Sequence, residues 1–206
     1  YDPKKDIANQ IEQLRPNIPE EAVELFRHLM GKFQNVWRQT IHPEDGFAKF
    51  PAVSVEMKPE EEWMSPPSLF RKKNSKESEE WLRNHLKDLE AAGVIKDCTS
   101  EPDVVIHPSL LIPKPPVKTQ GGGWKKDWRL VVALNRWLNV NTVRREFPTP
   151  DYPEMWSSLT GAKYFGTFDL LKGYWQFAVD DKSSKKQGFT ALGRRYRFKT
   201  LVMGAT

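Results

Sequence analysis

The chain has 206 residues, 38% of them hydrophobic and 29% charged, enough for one good core or two small ones. Its single cysteine, Cys98, excludes a disulfide framework and a cysteine-based zinc cluster and fits a reducing compartment; no apolar run approaches the roughly 20 residues of a membrane-spanning helix, and the opening YDPKKDIANQ is no signal peptide. The net charge of +5 is uneven: residues 1–66 hold 8 Lys/Arg against 12 Asp/Glu, and residues 67–206 hold 24 against 15.

Sixteen prolines against twelve glycines favour extended segments and turns, outside a helical stretch over residues 1–40, so the chain reads as mixed α and β. In NIPEEAVELFRHLMGKFQNVW, Asn17 is placed to cap a helix that has Pro19 and two acids in its first turn and an apolar face at Ala22, Phe26, Leu29 and Phe33. KFPAVSVEM alternates like a short strand, and KPEEEWMSPPSLFRKK is extended and broken by prolines. A second helix follows in NSKESEEWLRNHLKDLEAAG, with Asn74 and Glu77 spaced as a capping box, a stripe at Leu82, Leu86 and Leu89, and Gly93 as its stop. HPSLLIPK and WRLVVAL read as two strands of a hairpin whose tip carries Gly121-Gly122-Gly123. DYPEMWSSLTG reads as a short helix and AKYFGTFDL as a buried strand. In GFTALGRRYRFKTLVM, Gly193-Arg194 can form a two-residue turn, after which Tyr196 and Phe198 face one side and Arg195, Arg197 and Lys199 the other.

Basic charge concentrates in KPPVKTQGGGWKKDWR, with five cations and one anion, and in KSSKKQGFTALGRRYRFK, with seven cations and no anion. Both bracket turns with aromatics, a composition suited either to gripping phosphates or to an ordinary solvated face. Asp169, at the end of the predicted strand, has two readings. It can cap a helix, or it can present a hard oxygen to a Mg²⁺ ion whose shell nucleotide phosphates complete. Tyr174 and Trp175, five and six residues on, read either as core or as rings beside whatever the metal holds. Asp180-Asp181 reads as a solvated turn, and the triple glycine as a flexible tip or a phosphate nest. His28, His42, His85 and His107 have no partner at zinc-ligand spacing, and neither a G-x-x-x-x-G-K-[ST] loop nor a nucleophile elbow is present.

The run GAKYFGTFDLLKGYWQF, with the segments before and after it, resembles the reverse transcriptase of LTR retrotransposons, the gypsy type above all. LKDLEAAGVIKDCTS is similar to that family's helix before a Ser-rich turn, HPSLLIPK to its first fingers strand, WRLVVALNRWLN to its second, and FPTPDYPEMWSSLTGAKYF to its Tyr-Pro-x-Pro lead into the catalytic strand. YRFKTLVMGAT and AVELFRHLMGKFQNVW match the neighbouring segments, so the resemblance runs along nearly the whole chain. Ala133 stands where the family usually has Asp, Asn135 where it has Arg, and NRWLN is one residue longer than the usual spacing.

The resemblance implies an α+β fold: an incomplete fingers and palm portion of a right-hand polymerase, with a helical lead-in over 1–44, fingers over 45–147, the start of the palm over 148–178, and a fingers hairpin over 179–206. It implies Asp169 as a metal-binding aspartate, with the Leu170 carbonyl as a second ligand of Mg²⁺ or Mn²⁺. Tyr174 would be the steric gate against ribonucleotides, with Gln176 beside it. Arg129 would contact the triphosphate, with Lys114 or Lys118 as its partner, and Met203 and Gly204 would lie near the nascent base pair. The implied partners are an RNA or DNA template-primer, deoxynucleoside triphosphates, and the rest of a polyprotein with its RNase H region, in the cytoplasm, a virus-like particle or the nucleus, without a membrane. The family's Tyr-x-Asp-Asp hairpin is not among these residues, so the expectation is a fragment inactive by itself. The alternative is a non-enzymatic remnant that binds nucleic acid or a protein.

Overall fold

The computed structural model describes residues 3–34, 36, 44, 46–65, 74–118 and 123–205. His42, most of the proline-broken stretch after Met64, and Gly121 and Gly122 of the hairpin tip lie outside them. The chain divides into two compact units, residues 1–41 with 146–172, and residues 42–145 with 173–206.

In the first unit, α1 (Pro3–Leu14) and α2 (Glu20–Lys32) form a helical hairpin around Ile7, Ile11, Val23 and Met30, with Ile18 packed against them. Arg15 clamps the turn, its guanidinium 2.6 Å from Glu20 and 3.2 Å from Glu12. The cap of α2 is Pro19, preset for an extended entry, and Asn17 belongs to the preceding 3-10 turn. The buried face is also rotated from the expected one: Val23 and Met30 point inward, while Leu29 and Phe33 stay exposed. Facing α1 selects the row of Val23 and Met30, seven residues and two turns apart, over the row of Leu29.

The second unit centres on a four-stranded sheet in the order β1-β8-β7-β2, from β1 (Ile95–Asp97), β8 (Arg194–Phe198), β7 (Gly188–Ala191) and β2 (Ile106–His107). β2 and β7 run parallel, and the other pairs antiparallel. Helix α3 (Lys76–Ala91) lays Leu82, Leu86 and Leu89 into a core shared with Val94, Ile95, Trp137, Phe189, Tyr196, Phe198 and Leu138 of the short helix α4 (Leu138–Asn141). Its cap is Ser75, whose hydroxyl accepts from the Ser78 amide at 3.2 Å, one residue after the expected Asn74. Gly93 ends the helix as expected: it takes φ +69°, and the Val94 amide returns to the Leu89 carbonyl at 2.9 Å. β3 (Ser109–Pro113) pairs antiparallel with β6 (Trp128–Val132), and a shorter ladder of β4 (Val117–Lys118) with β5 (Trp124–Lys125) extends towards the tip.

Three local expectations are corrected. The β7–β8 turn is Leu192-Gly193, with φ of 49° and 79°, one residue before Gly193-Arg194; two left-handed residues suit the twist of a tight hairpin. KFPAVSVEM forms isolated bridges, Val53 with Val179 and Met57 with Thr142, instead of a strand. Asp180 is no solvated turn residue: it caps a short helix, α6 (Asp181–Ser184), accepting from the Ser183 amide at 2.7 Å.

Arg197 departs furthest from its expected solvent face. It is buried beside Phe198, with Nη2 2.8 Å from Asp181, Nη1 donating to Ser184 Oγ at 2.6 Å, and Nε 2.9 Å from Glu101, an ionic contact lying off the N–H axis. Its charge draws the Asp181 carboxyl below the usual range, and Lys96 with Arg197 does the same for Glu101.

Two outcomes follow from this packing. A methyl group on Gly188 would stand 2.5 Å from Val104 Cγ1 and 2.7 Å from the Val105 carbonyl, so Gly188→Ala destabilises the second unit by about 2 kcal/mol in urea unfolding. His107 is fully buried, its Nε2 donating to the Lys186 carbonyl at 2.9 Å, and burial lowers its pKa. The unfolded chain therefore binds the extra proton first, and stability present above about pH 6.5 is lost as the pH falls below it. The urea midpoint drops between pH 7.5 and 5.5, and less steeply in His107→Asn.

Candidate functional site

The basic hairpin places its cations by strand register. Arg129 lies opposite Ile112 on the β3–β6 ladder with its side chain exposed. Lys114 follows Pro113 at the end of β3, where its amide donates to the Asp127 carbonyl at 2.9 Å and its Nζ contacts the Asp127 carboxylate at 2.5 Å. Partial burial pushes the Asp127 carboxyl up, but the hydrogen bond and charge of Lys114, helped by the Trp128 backbone, outweigh it, so its pKa is lowered. Lys118 lies in β4, but its side chain is outside the described residues.

A second group gathers where residues 173–180 run beside 199–201. Val179 donates to the Lys199 carbonyl at 2.9 Å, Leu201 donates to the Phe177 carbonyl at 2.9 Å, and Ala178 bridges Thr200. On the other edge, Ala48 donates to the Gln176 carbonyl at 2.7 Å and Val53 to that of Ala178 at 2.8 Å. This antiparallel arrangement brings the 3-10 turn Gly173–Gln176, which carries Tyr174 and Gln176, to the same end as Met203 and Gly204. Tyr174 is 49% exposed and Met203 69% exposed. Gly204 takes φ +92°, and its carbonyl accepts from Asn139 Nδ2 at 2.6 Å.

Asp169 and Leu170 belong to the first unit, in a run that differs from the expected buried strand. Residues 164–170 form no strand, and Tyr164, Phe165, Phe168 and Leu170 are all exposed, with Leu170 at 72%. The run belongs to no ladder among the described residues, and without a neighbouring strand its apolar alternation cannot be buried in a sheet. Helix α5 (Tyr152–Ser158) precedes it as expected, also exposed. No helix starts at Asp169 either; the next helical turn begins at Gly173, after Lys172 at φ 49°. The carboxylate is therefore exposed on extended chain.

Among the described residues no three Asp, Glu, His or Cys side chains converge on a point that could hold a metal. Asp169 fits a divalent ion as one hard ligand, with the Leu170 carbonyl next to it in the chain, and does not form a protein cage. That sparse donor set suits Mg²⁺, which keeps waters and takes phosphate oxygens to complete its octahedron. Among the described residues no helix is long and apolar enough to cross a membrane.

The four aromatic rings Trp128, Trp81, His85 and Trp175 line up across the second unit, an arrangement for which the sequence offers one signal, the four-residue spacing of Trp81 and His85 on α3.

No protein-family model matches the chain. It is 35% identical over 113 residues, 54% of its length, to the retrovirus-related Pol polyprotein from transposon 412 of Drosophila melanogaster. It is 27% identical over 186 residues, 90% of its length, to that from transposon opus of the same organism. It spans only 9% and 17% of those two proteins. Among solved structures, the foamy viral protease-reverse transcriptase in complex with an RNA/DNA hybrid superposes with a TM-score of 0.70 at 21% identity, over 99% of this chain and 24% of that one. The relatives of this chain are thus retrotransposon Pol polyproteins, and its α+β fold is one found in a reverse transcriptase.

Proposed function

We propose that the chain is the fingers and early palm portion of a retrotransposon RNA-directed DNA polymerase of the gypsy type, acting on a template-primer and deoxynucleoside triphosphates. The observation that carries this reading is the likeness to Pol polyproteins along 90% of the chain. It is supported by a fold match to a protein bound to an RNA/DNA hybrid.

In this reading each part of the nucleotide has its own partner. Arg129, exposed on β6, offers a planar fork of donors that matches phosphate oxygens. Lys114 can exchange the Asp127 carboxylate for a phosphate, keeping a charged partner at each stage. Tyr174, half exposed beside Gln176, fills the space a ribose 2′-hydroxyl would need. Gly204 has no side chain and a left-handed backbone, so a base pair can approach its main chain, with Met203 flanking it. Asp169 and the Leu170 carbonyl would hold a divalent ion, which when bound supplies charge neutralisation for phosphoryl transfer. The basic stretches meet the phosphate backbone of template and primer, an interaction that weakens steeply with salt.

The tests use a polymerase that carries this segment. Asp169→Asn abolishes primer extension while leaving primer-template affinity in place; retained synthesis removes the metal role. Tyr174→Ala raises ribonucleotide incorporation relative to deoxyribonucleotide by roughly tenfold or more, read as the ratio of kcat/KM values. An unchanged ratio rules out the gate.

A further inference from the structure

We infer that helix α3, through Trp81 and His85, is a positioning relay that holds the sugar-reading Tyr174 at a fixed distance from the phosphate-facing Lys114 and Arg129. The inference rests on the nucleotide-binding reading proposed above and adds to it a specificity-determining residue, His85, that lies outside the pocket. Every group in it belongs to the second unit.

The relay can be followed contact by contact. Lys114 Nζ pairs with Asp127, the residue before Trp128. Trp81 packs on Trp128, the neighbour of Arg129, with ring centroids 6.0 Å apart and tilted by 52°. His85, one helical turn after Trp81, stacks on it at 4.7 Å and 25°. Its other side meets Trp175 at 6.5 Å and 41°. Trp175 is the next residue after Tyr174, within the same 3-10 turn. Glu77, one turn before Trp81 on the same helix, pairs with Lys126 of the hairpin at 3.0 Å, a second tie between α3 and the basic strands.

Rings at 4.5 to 7 Å interact through offset or tilted packing that depends on orientation, so a row of them transmits position better than flexible aliphatic chains do. Trp81, Trp128 and Trp175 all pack against the main core and remain partly exposed, so the row lies at the margin of the core. His85 is the narrowest of the four planes and the one that joins α3 to the turn carrying the gate. Truncating it leaves Trp175 without this ring contact towards α3, so the turn that carries Tyr174 loses one of the contacts that fix it.

The test compares His85→Ala, His85→Phe and Leu86→Ala, the last a core change on the same helix outside the row. In the 206-residue chain labelled with 5-fluorotryptophan, His85→Ala moves the Trp175 and Trp81 signals and His85→Phe restores them. In a polymerase carrying the segment, His85→Ala raises KM for deoxynucleotides and relaxes ribonucleotide discrimination, each by roughly tenfold, as expected when a positioning contact is lost. His85→Phe recovers both, and Leu86→Ala lowers the urea midpoint without changing discrimination. A Trp175 signal unmoved by His85→Ala overturns the relay. So does unchanged discrimination in His85→Ala beside a permissive Tyr174→Ala, which leaves the gate standing. Unchanged discrimination in both variants overturns the gate and the relay with it.

Discussion

Strand β8 and the residues after it are paired along both edges, and the second unit is arranged around that ladder. β8 lies between β1 and β7, so its amides and carbonyls are satisfied on each side. The same run then continues through Lys199 and Leu201 against residues 177–179, which are themselves bridged to residues 48–53. Because pairing fixes register to the residue, Met203 and Gly204 cannot slide relative to the turn that carries Tyr174. The hydrophobic core reinforces this from one face, through Tyr196 and Phe198 stacked about Phe189. On the other face the buried Arg197 holds Asp181, Ser184 and Glu101 together.

That buried guanidinium also shows where charge counting misleads. Seven cations in one stretch resemble a uniform phosphate-binding surface, yet several are committed within the protein. Arg197 lies inside, Lys185 pairs with Asp103 at 2.8 Å, Arg194 reaches Asp97 at 3.3 Å, and Lys186 lies 4.4 Å over the Trp63 ring. Each committed cation spends its charge on a nearby carboxylate or ring, so the field available to a nucleic acid is smaller than the formal count implies. Arg129 is exposed on β6 and has no ion pair among the described residues, whereas Lys114 is paired with Asp127.

Periodicity made part of the fold legible before any coordinates. The Leu82, Leu86 and Leu89 stripe, the Gly93 stop and the β3–β6 hairpin each follow from local pattern and local turn chemistry, and each is present. What failed was whatever depended on partners far away in sequence. The face α2 buries is chosen by α1, which Ala22, Leu29 and Phe33 cannot reveal. The run ending at Asp169 has the composition of a buried strand, but a strand exists only when a neighbour pairs with it. The alternation of Tyr196 with Arg197 marks two faces, and the second is also covered because α6 and Glu101 lie against it. The proposed site residues rest on resemblance more than on physics, since a lone exposed Asp and a half-exposed Tyr carry no signal in composition.

The ring row of Trp128, Trp81, His85 and Trp175 connects the basic hairpin to the turn of Tyr174. Register aligns the turn of Tyr174 with the Met203 and Gly204 end, and register separately fixes Arg129 against Ile112, in two separate ladders. Something must set the distance between them if they are to read the sugar and the phosphates of one nucleotide. α3 contacts both, with His85 against Trp175 of the turn that carries Tyr174 and Trp81 against Trp128 of the basic hairpin. A helix is stiff along its axis, and Trp81 and His85 are adjacent on one face of it, so the spacing between the two ladders becomes a property of a single turn of helix. The predicted amphipathic stripe of α3 thus accounts for its packing into the core, and the second row on the same helix accounts for its link to the pocket.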